Sequence, residues 1–570
     1  MRKYQDKKIV YILLFLLLNL CQAVYIYASA PPLKEEYGLR RPKSYVRNFS
    51  NLKRQFRTLG LSEKEILKKT SSTEEKRIAV IIVNFISAGS NTSGGNDISL
   101  NPGYDVIRKY LSDFVSFYKE VSYGKLNIVI STFPSDNSCY TLNHPMEYYG
   151  APDTDAERKT YLLIQDSIRK ANLGGANITS LNYDGVIVIH AGYGQESTNV
   201  EGDLWSLFLD WSDGSFPPLE GFVDGLVVST LEKGAESFGV LCHEFGHMLG
   251  LPDLYNTSTG GTFVGKWCLM DAGVWCGTPP GSNPSHPSAW CKYFLGWLSE
   301  RYSQFDMPSS QIITKQSRNI RLASAEIDRN SIYKIPLEMG GPNEYFLLEY
   351  RRRNEPLAKY DKYLPGEGLL IWHIDDDVGN IARNTINVDP GHPRVRLKSK
   401  DGTPPSSSNG GDAGDPYVDN DSFTPPASNP YNGLFSAISI MNIYGAGSNE
   451  IHIDVYRTQS TSSTSITQCY PYPNPLYIVN PSIDNMYFSF TLSRPTRDIS
   501  LEIYTLAGEL VKKISEREMS LEVVEDFKYK YKVATDVKNM YLYPLSSGVY
   551  LYILQAGGDR RAGKFAIIKK

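Results

Sequence analysis

The spacing of apolar residues changes twice along this chain, and each change marks a different kind of structure. Residues 78–85 form an almost unbroken apolar run, the pattern of a strand buried on both faces. Val106, Ile107, Tyr110, Leu111, Phe114 and Phe117 then recur at helical spacing, which predicts a helix over 106–118 ahead of a strand over 126–132. A second helix is predicted over 157–171, with further buried strands over 184–190 and 226–230. Strand and helix thus intermingle up to about residue 300. Beyond it the pattern becomes short strands between turn clusters, at 344–351, 368–374 and 437–443. Residues 458–468 are nearly all Ser, Thr and Gln, a composition that builds no core and predicts an exposed linker. After it, Ile499, Leu501 and Ile503, and later Val549, Leu551 and Ile553, alternate with other residues, as in a small β-sandwich.

Composition narrows the reading. A chain of 570 residues is too long for one core, so several domains are expected. A net charge of −3 with no basic stripe argues against a nucleic-acid partner. Arg2, Lys3, Lys7 and Lys8 precede an apolar stretch from Ile9 to Leu20 and small residues at Ala23 and at Ala28-Ser29-Ala30. That is the layout of a secretory signal, expected over residues 1–23. The stretch is shorter than the roughly 20 residues that span a bilayer, so no permanent membrane span is expected. Residues 24–75, charged and polar, are expected to be a prosegment or spacer. The site would then work outside the cytoplasm, where thiols can pair, and a Cys268–Cys276 loop is the simplest pairing.

One run carries chemistry. In His243-Glu244-Phe245-Gly246-His247-Met248-Leu249-Gly250-Leu251-Pro252-Asp253, the two histidines lie four positions apart and project from one helix face, within reach of one zinc ion. Glu244 is placed to act as general base toward a metal-activated water. Gly250 suits a left-handed helix stop, and Leu251-Pro252 turns the chain so that Asp253 becomes the third ligand. His190, His286 and His373 are expected to be structural, with His286 the substitute should Asp253 fail. Asp412, Asp415, Asp419 and Asp421 offer oxygen ligands for calcium, although the spacing of the helix-loop-helix calcium motif is absent and a solvated loop is the other reading.

The pattern H-E-x-x-H-x-x-G-x-x-D resembles the metzincin-type zinc peptidases of the immune inhibitor A family. Leu251 to Tyr255, Cys268 to Gly273, Ser288-Ala289-Trp290, Leu295-Gly296-Trp297, Val121 to Leu126, Leu347 to Arg351 and Gly368 to His373 extend the likeness over roughly 77–455. The resemblance implies that Met270 forms a methionine turn beneath the metal. Asp253 stands where many of the wider clan have histidine. Tyr255 is expected either to pack or to act as a donor behind the ligands or toward the oxyanion. Tyr472-Pro473-Asn474-Pro475, residues 503–508, Ser547 to Tyr550 and the closing run from Gly563 to Lys569 resemble a type IX secretion sorting domain.

The expectation is therefore an α+β protein: a mixed α/β zinc peptidase domain (76–300), a β-rich accessory domain (301–457), a linker (458–470) and a C-terminal Ig-like β-sandwich (471–570). Its expected role is a secreted endopeptidase acting on proteins or peptides, engaging secretion machinery or a cell surface through its last domain. A non-catalytic surface adhesin on the same scaffold is the alternative.

Overall fold

A computed structural model describes residues 74–569, except 90–91, 93–102, 151–155, 301–303, 354–355, 407, 434–435, 437, 458–464, 480–484, 493–497, 516–517, 523–528 and 537–544. The expected signal peptide and almost all of the expected prosegment lie outside the described residues. No described helix is long and apolar enough to cross a membrane. The chain divides into two compact units, one within residues 1–336, 343–423 and 440–455, the other within 337–342, 424–439 and 456–570.

The first unit is built on a six-stranded sheet. Strand β1 (Glu74–Phe85) pairs in parallel with β2 (Leu126–Phe133), β3 (Tyr140–Leu142) and β4 (Gly185–Tyr193). Beyond β4 lies β6 (Asp224–Leu231), parallel to it, and at the edge β5 (Leu207–Asp210) runs antiparallel to β6. The apolar run of β1 is continuous because both of its faces are covered. Ile78, Val80 and Ile82 enter one core with helices α1 (Tyr104–Val121) and α3 (Ser237–Met248), whereas Ala79, Ile81, Val83 and Phe85 enter another with α2 (Ala156–Leu173). Helix α1 sets the position of α3. Phe114 and Tyr118 each meet the Phe245 ring edge-on at 4.9 Å, and Tyr118 donates its hydroxyl hydrogen to the Cys242 carbonyl at 2.5 Å. Each such buried aromatic contributes about 1.5–3 kcal/mol.

The same core runs on into residues beyond 300. After α4 (Ala289–Phe294) come β7 (Ser317–Ala323), β8 (Tyr333–Pro336), β9 (Glu344–Arg351), β10 (Gly368–Asp375) and β11 (Val395–Leu397). Strands β8 to β11 form an antiparallel sheet in chain order, and Tyr345, Leu347, Leu370, Trp372, Val395 and Leu397 pack into the cluster that holds α1 and α3. Strands β12 (Ile438–Tyr444) and β13 (Glu450–Arg457) complete a three-stranded sheet with β7.

In the second unit, two sheets enclose a single apolar core, and besides the strands that follow they include β15 (Leu476–Ile478), β18 (Leu510–Ser515), β19 (Ser520–Glu522) and β20 (Tyr529–Asp536). Strand β14 (Ile466–Tyr472) begins inside the stretch expected as a linker, because Ile466 is buried and pairs with Leu492 of β16 (Asn485–Leu492). In the other sheet, β17 (Ile499–Thr505) pairs with β21 (Gly548–Ala556), which pairs with β22 (Asp559–Lys569). The alternation at 499–503 is the period of β17, with Ile499, Leu501 and Ile503 turned inward.

Candidate metal centre

Helix α3 carries its apolar residues Phe238, Leu241, Cys242 and Phe245 into the core, and every residue from Ser237 to His247 is buried. It stops at Gly250, whose φ of 102° is open to glycine and strained for other residues. The Gly250 N–H donates to the His247 carbonyl at 2.8 Å and the Leu251 N–H to that of Gly246 at 3.0 Å. This paired closure is the Schellman stop. It reverses the chain, so that Asp253 comes back over the two histidines.

Three side-chain atoms then converge. His243 Nε2 and His247 Nε2 are 3.0 Å apart, and each is 3.1 Å from Asp253 Oδ1. His243 Nδ1 faces the Leu269 carbonyl at 2.9 Å and His247 Nδ1 the Leu251 carbonyl at 2.7 Å. A carbonyl only accepts, so each Nδ1 carries the hydrogen and each Nε2 turns a lone pair toward the other and toward a carboxylate. Such an arrangement repels itself unless a cation lies between the three atoms. Ligands at about 2.0–2.2 Å around a tetrahedral zinc stand roughly 3.3 Å from one another, so the donor set and its spacing fit that ion. Burial opposes ionisation of Asp253, but the two imidazoles hold its carboxyl well below the usual range. His243 is raised: burial works against its charge, and Asp253 and Glu244 outweigh it.

Glu244 lies beside this triad, with a carboxylate oxygen and the imidazole nitrogens of His243 and His247 within 4.8 Å of one another. Its Oε2 accepts the Phe208 N–H of the edge strand β5 at 2.7 Å. Met270 lies under the helix. A Cβ on Gly246, the residue before His247, would stand 2.7 Å from Met270 Sδ, so glycine there lets the thioether close against the backbone. The loop carrying Met270 also supplies the Leu269 carbonyl to His243, and the Met270 carbonyl accepts the Leu254 N–H at 2.8 Å. Asp271 folds that loop by accepting from Ala272 N–H at 2.8 Å and Gly265 N–H at 3.0 Å. Tyr255 is buried directly after Leu254.

Sequence reasoning missed Asn384. Its Oδ1 accepts the Asp253 N–H at 2.8 Å and its Nδ2 donates to Asp253 Oδ2 at 2.5 Å. The amide thus grips both backbone and carboxylate of Asp253 while leaving its Oδ1 to face the histidines. Asn384 sits in the left-handed region at φ 53°, where asparagine is tolerated better than most residues. Only that conformational preference marked it in the sequence.

The other candidates are engaged elsewhere. His286 Nε2 bonds Glu120 Oε1 at 2.9 Å, His373 Nε2 bonds Glu344 Oε1 at 2.8 Å, and His190 Nδ1 faces the Ala191 carbonyl. The Cys268–Cys276 loop is not formed. Both cysteines are free, and the Cys268 sulfur lies 3.8 Å from that of Cys291 because the turn at 268–273 aims it into the core beside α4. The aspartates of the stretch after residue 401, read as calcium ligands or as a solvated loop, take backbone and side-chain donors. Asp415 accepts from the Trp267 indole and the Ser399 hydroxyl, Asp412 from Gly414 N–H, Asp419 from Ala446 N–H and Asp421 from Val418 N–H.

Comparison with known proteins finds a likeness around this geometry. Residues 180–299 match the model of the immune inhibitor A peptidase M6 catalytic domain. That stretch runs from the approach to β4 through β5, β6, α3, the Met270 loop and α4. The chain is 28% identical over 228 residues to the pre-pro-metalloprotease PrtV of Vibrio cholerae, covering 36% of this chain and 22% of that protein. It is 36% identical over 127 residues to immune inhibitor A of Bacillus thuringiensis, covering 20% and 18% respectively. The chain therefore matches only about a fifth of the length of these curated relatives. Asn384 lies outside the matched 180–299.

Proposed function

We propose that the first unit is a zinc-dependent endopeptidase that hydrolyses proteins or peptides. The observation that carries this reading is the triad of ligand atoms 3.0–3.1 Å apart, with both imidazoles locked by backbone carbonyls so that Nε2 faces inward. His243, His247 and Asp253 would hold the ion, and when bound it supplies Lewis acidity to the scissile carbonyl and to the attacking water. Glu244 takes a proton from that water and returns it to the leaving amine. The Phe208 N–H anchors the Glu244 carboxylate through Oε2, so it enters the reaction already oriented. The Met270 side chain gives the helix a rigid apolar floor beneath the ligands. The metalloprotease named among the relatives supports this reading, as does the catalytic-domain match around α3.

We extend the proposal to an exported protein whose last unit serves secretion or surface attachment, on the strength of the N-terminal and C-terminal sequence motifs. The test of the activity is metal content together with cleavage of a protein substrate in a gel, for the unaltered chain and for Glu244→Ala. One zinc per chain in both, with cleavage only by the unaltered protein, is expected. A chain that binds zinc and cleaves nothing after proteolytic removal of its first residues would hand the site to a binding role.

A further inference from the structure

Two thiols of the first unit take no part in the proposed reaction and yet are brought face to face. The Met270 loop begins at Cys268, and Cys291 lies in the first turn of α4. Both residues are wholly buried, and their Sγ atoms stand 3.8 Å apart although 23 positions separate them in the chain. Among the described cysteines no other two sulfurs are in contact, and Cys276 turns instead to the Lys266 carbonyl at 3.8 Å.

Each sulfur is held from its own side. The Cys268 carbonyl accepts the N–H groups of Asp271 and Gly273, both at 3.1 Å, which fixes the turn that aims its side chain. Ser288 reaches both thiols: its N–H donates to Cys268 Sγ at 3.2 Å and its hydroxyl to Cys291 Sγ at 3.4 Å. Burial opposes ionisation of Cys268, but Cys291 and the Ser288 N–H outweigh it and hold its thiol below the ordinary value. Burial, then Cys268, pushes Cys291 well above its own. One thiol of the pair is thus disposed to become the attacking thiolate.

We propose that Cys268 and Cys291 close into a disulfide as the chain folds outside the reducing cytoplasm, a cross-link that braces the loop holding His243 against α4. For its compartment this rests on the exported reading above. One cysteine, as thiolate, opens the disulfide of a small-molecule or protein oxidant and releases one thiol; the other then attacks the cysteine sulfur of the mixed disulfide and expels the second. Two protons and two electrons leave the pair, and the oxidant departs as two thiols. A disulfide is about 2.0 Å long, so each sulfur moves by about 1 Å to close it. Because both are buried once the unit is folded, the exchange comes before the core around α4 is complete.

The brace acts through Leu269. That residue directly follows Cys268, and its carbonyl holds His243 Nδ1 at 2.9 Å. Helix α4 is anchored in turn, by the Ala289 N–H on Glu349 at 3.4 Å and by the Trp290 indole on Asp376 at 3.0 Å. Joining the two segments also restricts the unfolded chain, so the folded unit is stabilised with or without the metal.

In the test, the full chain is folded with zinc in a glutathione redox buffer, its remaining thiols are blocked with iodoacetamide in denaturant, and chymotrypsin then cuts it. Cleavage after Leu269, Trp275 and Trp290 leaves Cys268, Cys276 and Cys291 on separate fragments. Expected by mass spectrometry is a joined pair of fragments carrying Cys268 and Cys291 that separates on reduction, with Cys276 alkylated. A phosphine reductant should lower the thermal midpoint of the unaltered chain by several degrees and leave that of the double variant Cys268→Ala, Cys291→Ala unmoved. The proposal is overturned if both sulfurs are alkylated in the folded chain, or if Cys268 is joined to Cys276. It is equally overturned if reduction shifts the double variant as far as the unaltered chain. Should the variant not fold, the fragment map alone decides. A cross-link in a chain that retains no zinc upholds the pairing and counts against the metal reading alone.

Discussion

Two fully buried charged clusters in the first unit use similar residues to opposite ends. Around Arg351, the guanidinium meets Glu326 at 3.0 Å and Glu349 at 3.3 Å and binds Asp361 through two nitrogens, and all four residues are wholly buried. Each of these carboxylates has the same cation as neighbour, the Trp372 indole donates to the same Glu349 oxygen as the guanidinium, and the His286 N–H satisfies the other oxygen of Asp361. At the histidine centre, by contrast, one carboxylate and two lone pairs converge and the chain contributes no cation of its own. Burial alone does not separate the two. What separates them is internal compensation: a cluster that carries its own cation is a strut, and one that carries none is a receptor for a positive ion.

That contrast can be broken experimentally, and the largest effect should come from Glu244. Glu244→Gln keeps the shape and the bond from Phe208 N–H but removes the proposed base, so turnover should fall about 10²–10⁴-fold with zinc content intact. Loss of zinc in that variant would mean that the carboxylate acts as a ligand. On the other side of the comparison, Arg351→Met leaves three buried carboxylates uncompensated and should cost about 3–5 kcal/mol in urea unfolding, while zinc affinity of the folded protein stays the same. A cost below about 1 kcal/mol would show that the cluster does not depend on its cation. Asp253→Ala should cut zinc affinity, measured by competition with a chromogenic chelator, by more than about 100-fold, since it removes a proposed direct ligand. Unchanged affinity would remove Asp253 from the metal. Asn384→Ala should weaken zinc by about 10–100-fold through loss of the grip on Asp253, and Asn384→Asp, which accepts from the backbone but cannot donate to the carboxylate, should do no better. The smallest effect is expected for Met270→Leu, a near-isosteric change in the floor, at less than about 1.5 kcal/mol in thermal or urea unfolding. A collapse of zinc binding there would give the thioether a more direct part.

How much of this was legible in the sequence depended on whether the signal was local. Helix α3, its stop at Gly250 and the return of Asp253 all follow from residues within one short run, and the structure brings them together as expected. The buried strands β1 and β4 were readable because burial on both faces leaves an apolar run that no amphipathic helix shows. Strand β5 was not, since Leu207–Asp210 is too short to display a period, and its role lies in one outward N–H that any residue but proline would supply. Arg351 looked like the polar end of an apolar strand, and only Glu349 of its three carboxylate partners shares that strand, while Glu326 and Asp361 come from segments on either side of it. Asn384 was hidden for the same reason, its partner being 131 residues away.

The grip of Asn384 on Asp253 also has a meaning in time. A chain emerges from the ribosome, and under the proposed export crosses the membrane, with residue 253 well ahead of residue 384, and elements fold broadly in that order. Until the segment around 384 arrives, the helix can present its two histidines, but the carboxylate that completes the triad has nothing to hold it in place. Under the proposed activity, the site stays unfinished during the interval when the protein's own unfolded chain is the nearest substrate.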